Sequence, residues 1–136
     1  MIVRAPSGLK IVVTGASSSG KSRLVSSLSS SLPWPLPLVI IPEVATDLIS
    51  SRGIDQARLD ADARSALQLE IYKEQIRREA AAPRRNHLIV LDRGTVDGAA
   101  YWPDGAARFW SAIGSSLAAE LARYDAVIWL ESAAGQ

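Results

Sequence analysis

The chain has no cysteine, and His87 is its single histidine among 136 residues. Without cysteine, a disulfide framework and a thiolate metal site are excluded, and this composition is typical of the cytoplasm. With one histidine, neither a histidine-based triad nor a zinc site is expected. We interpret His87 as a residue that enters a strand.

The sequence also has little net charge and no long apolar run. Its 15 Lys and Arg residues against 14 Asp and Glu residues leave a net charge of +1, which gives no field that would favour nucleic acid or an anionic membrane. No apolar run approaches the roughly 20 residues that span a bilayer, and the N-terminus is too broken for a signal peptide. We therefore expect one soluble, cytoplasmic domain over residues 1–136.

The most informative stretch is a loop of the form G-x-x-x-x-G-K-S, which follows an apolar run and precedes a helical pattern. This is the P-loop template. Glycine at both ends lets backbone N–H groups approach phosphate oxygens, lysine reaches the outer phosphates, and the serine hydroxyl ligates Mg²⁺. The loop therefore predicts binding of ATP with Mg²⁺. The predicted nucleotide-binding residues are Gly15, Ala16, Ser17, Ser18, Ser19, Gly20, Lys21 and Ser22.

Apolar runs alternate with helical patterns along the chain. Strands are predicted at residues 9–14, 38–41, 88–91 and 126–130, and helices after the P-loop, at 43–52, at 59–82 and over one stretch that carries Phe109, Ile113, Leu117 and Leu121. This alternation indicates right-handed crossovers and a parallel sheet, with the first strand central. The predicted fold class is α/β, a three-layer P-loop NTPase fold.

Asp92 ends the third apolar strand, at the edge of the sheet where open α/β folds bind ligands. An acceptor-only carboxylate at this position predicts the Walker B acid, which would hold Mg²⁺ together with Ser22. The alternative is that Asp92 caps a helix that starts at Gly94 or Thr95.

Three residues are predicted to be catalytic: Lys21, Arg93 and Glu43. Arg93 can donate two parallel hydrogen bonds to a phosphoryl group or an anionic acceptor, or it can form an ordinary ion pair. Glu43, after the second strand, can accept a proton from a substrate hydroxyl, or it can be a first-turn acid favoured by the helix dipole. Asp97 either orients Arg93 or touches substrate.

The segments GASSSGKS, IPEVATDLI and LDRGTVDGAAYW together resemble a family of kinase-type P-loop ATPases. This family includes the nicotinamide-riboside kinase domain of the bacterial NAD-biosynthesis regulator and is more distantly related to deoxynucleoside and thymidylate kinases. The resemblance implies that Lys21 and Ser22 bind phosphate and Mg²⁺ and that Asp92 is the Walker B acid. It also aligns Arg93 with the arginine after that acid, and Glu43 with the acidic residue after the second strand.

Members of that family continue beyond the fourth strand into an arginine-bearing lid, an adenine loop and a fifth strand. The six residues after Leu130 match none of these, so we expect a C-terminally truncated domain that binds phosphates but transfers them poorly. We also expect an unpaired sheet edge at which a homo-oligomer can form.

Three function classes are compared. The first is an ATP-dependent phosphotransferase that acts on a small hydroxyl acceptor such as a nucleoside, and the second is an ATP-binding regulatory module without transfer activity. A GTPase or motor ATPase is disfavoured, because Thr95 stands where a GTPase needs glycine and Arg93 where many motor ATPases place glutamate. The sequence leaves the first two open.

Overall fold

The computed structural model describes residues 8–15, 23–25, 27, 37–83 and 87–130. Within these residues four strands form one parallel sheet: β1 (Leu9–Gly15), β2 (Leu38–Ile41), β3 (Leu88–Asp92) and β4 (Ala126–Leu130). Their order across the sheet is β2-β3-β1-β4. The predicted α/β class, the parallel sheet and the interior position of the first strand are confirmed.

The described helices follow the strands in the predicted alternation. They are α1 (Val44–Arg52), α2 (Ala61–Ala81), α3 (Ala106–Ile113) and α4 (Leu117–Leu121), with short 3₁₀ helices at Gln56–Arg58 and Asp97–Tyr101. Residues 23–25 and 27 are helical too, as predicted after the P-loop. Gly53 ends α1 in the left-handed conformation, with a φ of 60°. Asp60 accepts the N–H of Ala63, so α2 begins two residues later than predicted.

The prediction of one continuous helix from Phe109 to Leu121 is wrong. Gly114 adopts a φ of 67° and closes α3, and the Ser116 side chain then caps α4 by accepting the N–H of Ala119. The break rotates the second half of the apolar pattern out of register with the first. Phe109 is fully buried as a result, whereas Leu117 is 50% exposed.

The core lies on both faces of the sheet, because successive side chains of a strand point to opposite faces. Val12, Ile89 and Leu91 form one cluster with Ile41 and Tyr124. The other cluster contains Val13, Val25, Leu88 and Val90. Every residue of β3 is buried, as expected for an interior strand of a parallel sheet that is covered on both faces.

β4 lies at an edge of the described sheet and is its most exposed strand. Trp129 is 67% exposed, and Val127 and Ile128 are exposed as well. The predicted homo-oligomer at this edge stays a prediction. No helix in the described part of the chain is both long and apolar enough to cross a membrane.

Candidate functional site

The P-loop segment begins where β1 ends, at Gly15. This residue has a φ of 146°, and a Cβ placed on it would lie 2.2 Å from the carbonyl oxygen of Leu130 on β4. Position 15 therefore requires glycine both for its backbone conformation and for its close approach to the neighbouring strand. The predicted residues 16–22, which include Lys21 and Ser22, lie outside the described residues.

Asp92 lies beside the start of the P-loop. It ends β3 opposite Val13, and the next residue, Arg93, donates its N–H to the Val13 carbonyl at 2.9 Å. The following 3₁₀ helix has Val96 as its N-cap residue, so Asp92 does not cap it. Asp92 is buried, and its carboxylate is a group of the type that Mg²⁺ prefers as a ligand. Among the described residues no group of three or more His, Cys, Asp or Glu could hold a metal ion.

Arg93 follows Asp92 with a φ of 70°, the one positive φ of a non-glycine residue in the described chain. Its Nη1 donates to the Tyr101 hydroxyl at 2.6 Å, and the guanidinium lies 5.3 Å from the centre of that ring. Burial lowers the pKa of Arg93, but the contacts with Tyr101 and Glu43 outweigh it, so the pKa is raised. The side chain is thus a partly buried and permanent cation.

Glu43 and Arg93 face each other across 3.5 Å, from Oε1 to Nε. The Arg93 Nε–H is buried and, within the described residues, has no hydrogen-bond acceptor. Glu43 is the N-cap residue of α1, a helix that is described in full, yet its side chain makes no capping hydrogen bond there. This ion pair is one alternative that the sequence left open for Arg93.

Asp97 holds the turn after Arg93. Its carboxylate accepts the Gly94 N–H at 2.7 Å and the hydroxyl of Thr14. Asp97 therefore ties the start of the 3₁₀ helix to the end of β1, and it also borders the cavity described next.

A cavity of about 370 Å³ lies between α1, α2 and the turn after β3. Its charged lining residues are close to the sheet, and the remainder of the wall combines neutral polar and apolar groups. The charged residues are Glu43, Arg93 and Asp97; the neutral polar ones include Gln56, Gln68, Tyr72, Gln75 and Tyr101; the apolar ones include Val44, Ile49, Ile71 and Phe109. Sequence reasoning did not identify the glutamines or Tyr72 as lining residues. The three-residue spacing of Tyr72 and Gln75 on one helix face was the available signal.

A buried carboxylate, Glu79 of α2, lies behind this wall. Its side chain is fully buried and accepts hydrogen bonds from Lys10, Gln75, Arg123 and Tyr124 at 2.8–3.0 Å. Burial raises the pKa of Glu79, but the hydrogen bonds and the charge of Lys10 outweigh it and hold the pKa below its usual range. The carboxylate is therefore ionised, and sequence analysis gave no indication of it.

The same network continues to a second buried carboxylate, Glu120 of α4. Glu120 accepts from the Tyr72 hydroxyl at 2.5 Å and from the Thr95 hydroxyl at 3.1 Å. Burial and the contact with Glu120 raise the pKa of Tyr72 to about 12. Burial, with the charge of Glu79, raises the pKa of Tyr124 as well. Both phenols are thus neutral hydrogen-bond donors at physiological pH.

A family model described as an AAA domain matches residues 10–135 of the chain. The match takes in the P-loop, Asp92 and Arg93, and all four strands. Domains of this description bind and hydrolyse nucleotides. No curated protein sequence matches the chain.

Proposed function

Because the chain belongs to the AAA domain family, a family of P-loop NTPases, we propose that it transfers the γ-phosphoryl group of Mg-ATP to a hydroxyl of a small acceptor such as a nucleoside. The observation that carries the proposal is the cavity bordered by Glu43 and Arg93. Its volume of about 370 Å³ lies in the range of small-molecule pockets. A protein or nucleic-acid substrate would need an open groove instead.

The lining of the cavity suits an acceptor that is neutral over most of its surface. Amides of Gln68 and Gln75 and the hydroxyl of Tyr72 offer hydrogen bonds, and Phe109 offers an aromatic surface. The charged residues Glu43 and Arg93 lie 3.5 Å apart, so one substrate hydroxyl can contact both. The pair supports the proposal that the reacting hydroxyl of the acceptor lies at this end of the cavity.

In the proposed step Glu43 accepts the proton of the acceptor hydroxyl. The hydroxyl oxygen forms a bond to the γ-phosphorus while the bond from that phosphorus to the β,γ-bridging oxygen breaks, which yields ADP and the phosphorylated acceptor. Arg93 donates to the oxygens on which charge develops. Its Nε lies 3.5 Å from Glu43 Oε1 without a hydrogen-bond acceptor among the described residues, which supports a role for this pair at the reacting centre.

The P-loop residues would bind the nucleotide. Lys21 would contact the outer phosphates, and Ser22 and Asp92 would hold Mg²⁺. When bound, Mg²⁺ offsets the negative charge of the phosphates. The position of Asp92 opposite Val13, two residues before Gly15, supports this assignment.

The test is ADP release from Mg-ATP in the presence of candidate acceptors, which include nucleosides, nicotinamide riboside, sugars and polyols. We expect ADP release that depends on one acceptor class, with an equal amount of phosphorylated product detected by mass spectrometry. Glu43→Gln should lower kcat by about 10²–10⁴-fold and leave ATP affinity unchanged. Glu70→Gln is the matched control, because Glu70 is an exposed glutamate paired with Arg52 outside the cavity.

The alternative is an ATP-binding regulatory module without transfer activity. It predicts ATP binding with no acceptor-dependent ADP release across the whole panel. Equal kcat values for wild type and Glu43→Gln would contradict the role of Glu43 in transfer.

A further inference from the structure

The turn that carries Arg93 is held from behind by two side chains. Gln75 donates from Nε2 to the Arg93 carbonyl at 3.4 Å, and the Tyr124 hydroxyl oxygen accepts the Thr95 N–H at 2.8 Å. These contacts flank Gly94, where an added Cβ would lie 2.9 Å from the Tyr124 hydroxyl oxygen. The backbone of the turn therefore packs directly against that hydroxyl group.

Both side chains are bonded to the same oxygen of Glu79. Gln75 and Tyr124 each donate to Oε2 at 2.8 Å, while Lys10 and Arg123 each donate to Oε1 at 3.0 Å. An ionised carboxylate only accepts hydrogen bonds, so Tyr124 gives its single proton to Glu79. Its oxygen is thereby left to accept the N–H of the turn. The charge of Glu79 thus holds the Tyr124 proton away from the turn, so that no competing donor faces the Thr95 N–H.

From this geometry we propose that Glu79 and Tyr124 are positioning residues for Arg93. They hold its backbone at a φ of 70°, from which the guanidinium reaches the cavity wall. This conformation is disfavoured for a residue with a Cβ, and it persists where the surrounding structure holds it. The consequence for phosphoryl transfer rests on the proposed function, whereas the positioning itself is independent of it.

The experiment follows the Nε–H of Arg93 by NMR in the full chain. Its signal is assigned by its loss in Arg93→Lys, and its rate of exchange with solvent reports how well the buried guanidinium is held. Tyr124→Phe removes the acceptor of the Thr95 N–H and should accelerate exchange by about tenfold, the effect of one lost hydrogen bond. Glu79→Gln should do the same, because its amide can donate to the Tyr124 oxygen and compete with the turn.

Asp60→Ala is the matched control for a general loss of stability. It removes the side chain that caps α2 by accepting the Ala63 N–H at 2.8 Å, and within the described part of the chain Asp60 forms no hydrogen bond or ion pair with the turn or with Glu79. Exchange at Arg93 should be unchanged in this variant. An exchange rate in Tyr124→Phe equal to that of the wild type overturns the proposal. So does an acceleration in Asp60→Ala as large as that in Tyr124→Phe. If Glu79→Gln does not fold, Tyr124→Phe decides alone.

The NMR measurement needs neither ATP nor acceptor, so it separates this inference from the proposed function. Accelerated exchange in Tyr124→Phe together with no transfer to any acceptor would support positioning and contradict the transfer reaction. Where transfer is present, Tyr124→Phe should lower kcat while the KM for ATP is retained, because Arg93 acts on the reacting phosphoryl group.

Discussion

Asp92 and Arg93 are neighbours in the sequence, yet they have different tasks in the proposed site. The positive φ of Arg93 directs its side chain to the cavity wall, while the Asp92 carboxylate stays at the end of β3 beside β1. Arg93 therefore lines the cavity, whereas Asp92 lies beside the strand that leads into the P-loop. Substitutions at Asp92 and at the P-loop lysine should consequently separate metal binding from phosphate binding.

We expect Lys21→Ala and Asp92→Asn to weaken ATP binding in different conditions. Lys21→Ala removes a direct charge-assisted contact and should weaken binding by about 1.5–3 kcal/mol in Mg²⁺ and in EDTA alike. Asp92→Asn should weaken binding in Mg²⁺ and leave it unchanged in EDTA. Calorimetric titrations in the two buffers give the measurement. Equal losses for Asp92→Asn in both would exclude its role at the metal.

The sequence could predict the positions of Glu43, Asp92 and Arg93 because each follows an apolar strand. The carboxyl ends of parallel strands meet at one edge of a sheet, so the position of each residue at the end of a strand was sufficient to predict that all three lie at this edge. The contribution of Tyr101 was not predictable in this way. Its ring meets Arg93 only because of the positive φ at Arg93, which a sequence pattern does not encode.

Among the elements, α2 shows most clearly where sequence reasoning fails. Glu74 forms ion pairs with Arg77 and Arg78, as the three- and four-residue spacing on a helix favours. Glu79, five positions later, is of the same residue type and yet is fully buried. Its cationic partners Lys10 and Arg123 are 69 and 44 residues away in the sequence. Local periodicity carries no information about such distant partners.

We expect Glu79→Gln to destabilise the fold by about 3–5 kcal/mol at neutral pH, since it removes the charge of a fully buried carboxylate that pairs with Lys10 and Arg123. Glu74→Gln, the matched exposed variant on the same helix, should change stability by less than about 1 kcal/mol. The pKa of Glu79 is lowered in the folded state from an ordinary value of 4.5. Its stabilising contribution is therefore complete above that pH and is lost as the pH falls below it.

Urea denaturation of the three proteins from neutral to acidic pH provides the measurement. The difference between wild type and Glu79→Gln should shrink as the pH falls below 4.5, while Glu74→Gln stays near wild type. A difference that is constant over this pH range would mean that the charge of Glu79 contributes nothing to stability.

On the scale of the whole molecule, the predicted alternation of strands and helices was sufficient for the fold class. The alternation could not predict the complete strand order across the sheet. It implies crossover connections but does not determine which strands become neighbours. The short α4 and the exposure of β4 were likewise not visible in the pattern. The predicted helix that carries Phe109 and Leu121 is broken at Gly114, and the apolar residues around this glycine fit one long helix as well as two short ones.

Nucleotide binding should stabilise the entire domain, because the P-loop starts from an interior strand. At a concentration 100 times its dissociation constant, Mg-ATP should add about 2.7 kcal/mol to the free energy of unfolding. Thermal melts with and without Mg-ATP should show a rise in Tm of several degrees, and Lys21→Ala should show little. An unchanged Tm of the wild type at millimolar Mg-ATP would count against the predicted phosphate site.

The pairing of Gly15 with Leu130 has a consequence for the order of events during synthesis. β1 is translated before its neighbours β3 and β4, which lie far along the chain from it. Contacts between such distant segments form slowly, since a long loop must close first. The strand that leads into the P-loop therefore stays apolar and unpaired until β3 has been translated, and Gly15 gains its partner Leu130 only when β4 follows.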